Sequence, residues 1–96
     1  MHFPEWADNK RMTKKQRASA RLKFILMELA NRHTGRASLR GLAEVVGLNH
    51  STLCKYVKDG RFTESKACQM EVRLGRSSVT AAMLIDPLSI VSTKPS

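Results

Sequence analysis

The 96-residue sequence lacks the features that mark small secreted domains and membrane proteins. It has only two cysteines, Cys54 and Cys68, which do not make a disulfide framework and form no CxxC pair of the kind that binds zinc. No signal peptide precedes them, so we expect a reducing, cytoplasmic location. Apolar runs such as Phe24 to Met27 are far shorter than the ~20 residues that span a bilayer.

Patterns that carry catalysis or ligand binding are also missing. The histidines are scattered, and Glu64 and Glu71 lie two turns apart on a predicted helix surface, which makes no persuasive carboxylate pair. No glycine-rich phosphate loop is present. One small domain can bury a modest core but not a deep active-site cavity. We therefore expect no enzyme activity, no metal and no cofactor.

Acidic residues are scarce, and this imbalance is the strongest compositional signal. Eight Asp and Glu stand against 17 Lys and Arg, which gives a net charge of +9. The excess is uneven, because residues 1–61 contain 13 basic and five acidic residues, whereas residues 62–96 contain four and three. This distribution favours one face for a polyanion and another for packing or assembly.

Apolar periodicity predicts an all-α fold, a small domain of five helices. Thr13 and Gln16 fit a capping box at the start of a long first helix, and Gly35 ends it. Ser38, Asn49, Thr63 and Thr80 precede the other four, and Asp86-Pro87 stops the last. The predicted core includes Leu22, Ile25, Leu26, Leu29, Leu39, Leu42, Val45, Val46, Leu53, Ala67, Met70 and Val79, with Cys68 as a small core residue.

The same periodicity predicts that the chain has three parts. Residues 1–12 are expected to form a flexible arm, residues 13–87 the domain, and residues 88–96 a tail. Phe24 and Met27 project from the face of the first helix nearly opposite its core stripe, a face that would be polar if it were exposed to solvent. They could meet Phe3 and Trp6 from the arm, or a second subunit.

The central stretch, LRGLAEVVGLNHSTLCKYVK from Leu39 to Lys58, is interpreted as a helix-turn-helix. Gly47 allows an abrupt stop of the first motif helix, and Asn49 is a good N-cap for the second. An ordinary helical hairpin would share the apolar stripe and the glycine. The positive charge favours the DNA-binding interpretation.

With these residues laid out, the chain resembles the Cro-like repressors of temperate phages, nearest to the YdaS-type regulators of prophages. The resemblance covers about half the chain, in the strings LAEVVGLNHSTLCKYVKDGRFT, KACQMEVRLG and VTAAML before Asp86-Pro87. The family usually has proline where Thr63 stands, and tryptophan is common where Tyr56 stands. The resemblance implies a lambda-repressor-like fold and a repressor function in a bacterial host.

In a helix-turn-helix, the second helix enters the major groove, where each base pair has a distinct donor and acceptor pattern. The residues expected to contact bases are His50, Ser51, Thr52, Cys54 and Lys55. The residues expected to contact the DNA backbone are Arg36, Ser38, Arg40, Asn49, Lys58 and Arg61, together with Lys14, Lys15 and Arg17. The last three belong to a run of seven basic residues without an acid, from Lys10 to Lys23.

The expected partners are a DNA operator and a second copy of the chain. Because one recognition helix reads only a few base pairs, we expect a homodimer or higher oligomer on a double-stranded operator. The expected interface is Met83, Leu84, Ile85, Leu88, Ile90 and Val91.

Two alternatives to a DNA-binding function are considered. One is an RNA-binding or membrane-surface protein that uses the basic first helix. The other is a protein-interaction module, such as an antitoxin, that uses Phe3, Trp6, Phe24 and Met27.

Overall fold

A computed structural model describes residues 3–75 and 79–90 of the chain. Within these ranges the regular structure consists of five α-helices and two short 3₁₀ helices, with no strand. The α-helices are α1 (Lys14–Thr34), α2 (Leu39–Val46), α3 (His50–Asp59), α4 (Glu64–Leu74) and α5 (Ala81–Ile85). The 3₁₀ helices, Glu5–Ala7 and Pro87–Ser89, lie outside the two ends of this series. The prediction of a five-helix, all-α domain is confirmed.

The ends of α1 follow the local signals in the sequence. The backbone N–H of Gln16 donates to Thr13 Oγ1 at 3.1 Å, and the N–H of Thr13 donates to Gln16 Oε1 at 3.0 Å. This reciprocal capping box is the predicted one. At the other end Gly35 takes a left-handed conformation with φ 77°, which glycine adopts at little cost.

α2 and α3 are joined by three residues, Gly47 to Asn49. Ser38 caps α2 by accepting a hydrogen bond from the N–H of Gly41 at 3.3 Å. Asn49 occupies the N-cap position of α3, but its side chain makes no capping hydrogen bond. Its carbonyl accepts from the backbone of Thr52 and Leu53 instead. The predicted position of the N-cap is therefore confirmed, but the capping bond from its side chain is not formed.

The core is centred on one face of α1. Leu22, Ile25 and Leu26 have no exposed surface, and they pack in one cluster with residues of α2 to α5. The other predicted members Leu29, Leu42, Val46, Leu53, Ala67, Met70 and Val79 are also buried. Two predictions were wrong: Val45 is 41% exposed, and Cys68 is exposed because it faces away from the buried side of α4. Phe62, which the helical pattern did not select because it lies between helices, is almost fully buried.

Residues 3–12 pack on the domain rather than extending from it as an arm. Phe3 is 5% exposed and meets the Phe24 ring edge-on, with the ring centroids 5.6 Å apart. The Trp6 ring meets Phe24 at 6.0 Å. The apolar back of α1 at Phe24 supplies the reason, since covering it removes aromatic surface from water. Of the two expectations for Phe24, contact with Phe3 and Trp6 is the one observed.

Arg21 joins both ends of the described chain to α1. Within the part of the chain that the structure describes, it is the one charged side chain among the buried residues, and its guanidinium donates to Asp8 Oδ1 at 2.8 Å. It also donates to the carbonyls of Pro87 at 3.2 Å and Ile90 at 3.0 Å, and it lies over the Phe3 ring at 4.7 Å. A buried cation needs such partners, because burial without them costs several kcal/mol.

The end of α3 approaches α1 closely at Gly60. A Cβ atom placed there would lie 3.1 Å from Ala18 Cβ and 3.2 Å from the Ser19 nitrogen, and Gly60 has φ 78°. Beside it, the Ser19 hydroxyl donates to the Val57 carbonyl at 2.6 Å. Glycine at this position sets the distance between the two helices.

None of the helices in the described ranges has the length and apolar composition that a membrane crossing requires. The radius of gyration, 12.5 Å, is close to that of a folded chain of this length.

We expect Gly60→Ala to lower the free energy of unfolding by about 2–4 kcal/mol, from backbone strain and overpacking against Ala18 together. Gly35→Ala is the matched control, since Gly35 has nearly the same φ but no atom within 4 Å of an added Cβ. It should lose only about 1–2 kcal/mol. Urea denaturation of both variants measures the difference, and equal losses would show that the close approach carries no energy.

We expect Arg21→Ala to cost about 3–5 kcal/mol, because it leaves the Asp8 carboxylate, only 13% exposed, without its main partner. Lys23→Ala, an exposed cation two residues further along α1, should change stability by no more than about 0.5 kcal/mol. Thermal unfolding followed by circular dichroism compares the two. A small effect of Arg21→Ala would mean that the chain ends are held by apolar packing alone.

Candidate nucleic-acid interface

α3 presents one polar row to solvent. Residues three and four apart in a helix share a face, and His50, Ser51, Cys54, Lys55 and Lys58 form such a row, here called the outer row. Four of its members are exposed, and His50 is half-buried. Thr52, also expected to contact bases, is half-buried beside it.

The inner side of α3 explains why this row faces outward. Leu53 is completely buried, and the half-buried Tyr56 ring packs on Phe62 with centroids 4.7 Å apart. The bond from Ser19 to Val57 and the contact at Gly60 fix the end of the helix on α1. α3 therefore has a fixed orientation and one free face.

The charge of the outer row is positive. Its members include no acidic residue, and α3 reaches its first carboxylate only at Asp59. Within residues 3–75 and 79–90, the ion pairs found are those of Asp8 with Arg17 and Arg21, and neither includes Lys55 or Lys58. At the start of the row, 3.5 Å separates Cys54 Sγ from His50 Nε2, a contact that orients both polar groups on the same turn.

The residues predicted to contact a DNA backbone around α2 and α3 are mostly accessible. Arg36, Arg40, Asn49 and Arg61 are exposed. Asn49 makes no capping bond, so its amide can reach an external acceptor. Ser38 differs, since it is half-buried and its hydroxyl oxygen already accepts from Gly41. A bond from Ser38 to a phosphate would use its hydroxyl hydrogen, which the bond from Gly41 does not occupy.

The fold divides the basic run from Lys10 to Lys23, of which the members from Lys14 onward lie in α1. Its exposed members are Lys10, Arg11, Lys14, Lys15 and Lys23. Arg21 is buried, and Arg17 is half-buried, with its Nε 3.9 Å from Asp8 Oδ1 and a donated bond to the Asn9 carbonyl. The charge of Arg17 is turned toward Asp8, and its expected contact with a DNA backbone stays a prediction.

Two surface depressions place the accessible cations of α1 beside the end of α3. Lys14, Lys15 and Arg61 line one of about 470 Å³, which also contains Asp59 and Asp86. Lys15, Lys23 and Lys58 line another of about 780 Å³. Residues far apart in sequence thus form one positive region next to the outer row, and neither sequence spacing nor composition could have shown this.

The expected oligomer interface is largely part of the monomer core. Leu84 is 1% exposed and Ile90 is 8% exposed, while Met83, Ile85 and Leu88 are half-buried. The Leu84 carbonyl accepts from the Phe62 backbone at 3.0 Å, which holds α5 in place. Val91 lies outside the described residues. Among the described residues, the exposed large apolar side chains are instead Trp6, Val45 and Val72, and Val72 is 79% exposed. Val72 does not belong to the apolar stripe of α4, and this position in the helical pattern is the signal that could have indicated its exposure.

The apolar set of the alternative antitoxin-like interpretation is also mostly internal. Phe3 is buried, and Phe24 and Met27 are half-buried, so of these four residues only Trp6 keeps a large exposed surface.

No protein-family model matches the chain, and no curated protein or solved structure does so either. Among residues 3–75 and 79–90, no three His, Cys, Asp or Glu side chains lie close enough together to hold a metal ion. Interpretation of the site therefore depends on its own residues and geometry.

Proposed function

We propose that the chain is a sequence-specific DNA-binding transcriptional regulator, without catalytic activity, that reads an operator through the major groove with α3. The observation that carries the proposal is the outer row, a polar, acid-free helix face held outward by a buried inner side. α2, the three-residue connection and α3 would then act as a helix-turn-helix. The resemblance to Cro-like prophage repressors supports the same function and adds repression as the expected mode.

In this proposal the members of the outer row have different tasks. Lys55 can donate to guanine O6 and N7, and Ser51 can bond either a base edge or a phosphate. The exposed cations Arg36, Arg40, Lys58 and Arg61 contact phosphates, which fix the register of the helix in the groove. The N-terminus of α2 adds backbone N–H groups suited to an anion.

Specific recognition also requires two copies of the chain. A single α3 reads only a few base pairs, whereas a two-fold pair reads two half-sites about 34 Å apart on one side of the duplex. The proposal therefore includes a homodimer on DNA. Because Leu84 and Ile90 are buried, the contact between copies must use other residues than those two.

Selection of bound sequences from random duplexes tests both the specific reading by α3 and the homodimer on DNA. We expect an inverted repeat with half-site centres about one helical turn apart. Lys55→Ala should then cost about 1–3 kcal/mol on the selected site and relax the choice at one base position. Arg73→Ala removes an exposed cation of α4 and serves as the matched control. Recovery of unrelated sequences, or equal loss by Lys55→Ala on random DNA, would contradict specific reading by α3.

The salt dependence of binding separates the cations of α1. Each phosphate contact contributes about 0.9 to the slope of log affinity against log salt. Lys14→Ala and Lys15→Ala should each flatten the slope by about this amount, because both side chains are exposed. Arg17→Ala should leave it unchanged, since Arg17 faces Asp8. A flattening by Arg17→Ala alone would mean that this side chain leaves Asp8 for DNA.

A further inference from the structure

The larger of the two depressions has a composition that DNA binding does not explain. It lies between the N-terminal segment, the start of α1 and the end of α3, and we name it the Trp6 groove. Its volume is about 780 Å³, and it is lined by Trp6, Met12, Thr13, Lys15, Gln16, Ser19, Ala20, Lys23 and Lys58.

The walls of the Trp6 groove are positive. Lys15 and Lys23 belong to α1 and Lys58 to α3, and all three are exposed. Among the described residues that line the groove, none is acidic. Three cations converging without a carboxylate favour an anionic occupant.

The floor of the groove is apolar and partly fixed. The Trp6 ring packs edge-on against Phe24 at 6.0 Å, yet 48% of the residue remains exposed. Met12 and Ala20 beside it are half-buried. A tryptophan held on one side and open on the other can bury more of its large surface only against an apolar group of a partner.

The shape of the groove and this pairing of apolar and positive surface distinguish the possible occupants. Sites for small molecules enclose 70–90% of the ligand surface, and this groove is open to solvent along one side. A duplex backbone offers phosphates to the lysines, but between the phosphates it offers an indole only the small apolar faces of its sugars. Single strands stack successive bases on several aromatic rings, and Trp6 is the one aromatic residue in the lining. A peptide that carries carboxylates around a large apolar side chain satisfies both surfaces.

We infer that the Trp6 groove binds an acidic peptide segment of a partner protein, with an apolar side chain on Trp6 and carboxylates on Lys15, Lys23 and Lys58. Lys15 and Lys58 are also among the proposed phosphate contacts. A bound segment and operator DNA therefore compete, and the partner releases the regulator from DNA. This second part rests on the proposed function, and the first part does not.

Trp6 supplies the measurement, because it is the only tryptophan in the chain. The probe is a synthetic octapeptide of aspartate and glutamate around a central leucine-phenylalanine pair, titrated into the full-length protein without DNA. We expect a blue shift of the tryptophan emission that saturates, and a loss of affinity of at least about tenfold when serine replaces the apolar pair, as for a hot-spot contact. An unchanged emission spectrum, or equal binding of the serine peptide, would overturn the inference.

Charge reversal locates the binding site. Lys23→Glu should lower the affinity for the peptide by about tenfold or more. Arg73→Glu, the same charge change at an exposed position of α4, should lower it much less. Circular dichroism melting checks that both variants are folded. Equal effects of the two variants would indicate general attraction to a basic protein, and a stronger emission change with single-stranded oligothymidylate would assign the groove to nucleic acid; either result contradicts the inference.

Competition tests the regulatory part separately. With an operator from the selection experiment, increasing peptide should displace labelled duplex from the wild type and far less from Lys23→Glu. Peptide binding without displacement would overturn the competition and leave the site in place. Failure to select any operator would remove the proposed function, while the emission titration would still decide whether the groove binds the peptide.

Discussion

The buried guanidinium of Arg21 is the constraint on which much of this domain depends. A cation at this depth must be surrounded by acceptors, and here they come from Asp8 in the N-terminal segment and from the carbonyls of Pro87 and Ile90. One α1 side chain therefore determines where both ends of the described chain lie. The same arrangement turns Arg17 toward Asp8 and places Trp6 on Phe24. In the Trp6 groove, Trp6 belongs to the N-terminal segment held by this arrangement, whereas the lysines of the walls belong to α1 and α3.

The orientation of α3 depends on a second, smaller set of contacts. Gly60 lets the end of α3 come within van der Waals distance of Ala18, and Ser19 ties the Val57 carbonyl to α1. Because Leu53 is also buried, contacts in the middle and at the end of α3 together set the position of its outer row relative to α1. The cations at the start of α1 then lie beside the last turn of α3. Fixed geometry of this kind is what a base-reading helix needs.

What could be predicted from the sequence was local. Helix caps such as Thr13 with Gln16, and stripes such as Leu22 to Leu29, depend on spacing within one element, and the structure reproduces them. The predictions that failed concerned residues whose positions depend on contacts between distant parts of the chain. Arg21 is one of seven similar cations in a run, and only the position of Asp8, Pro87 and Ile90 distinguishes it. Likewise Leu84 and Ile90 are apolar residues near the chain end, and nothing in the spacing indicated whether they cover the core or a partner.

The candidate site shows the same division between features set within one element and features set by several elements. The outer row could be predicted from helical periodicity, because it is the face of α3 opposite Leu53. The Trp6 groove could not, because three elements form it. In the proposed complex most of the affinity comes from phosphate contacts, which carry no sequence information. Lysines that serve both the backbone and the groove would then be an effective point of regulation, since occupying them lowers affinity for every sequence without altering the helix that reads the bases.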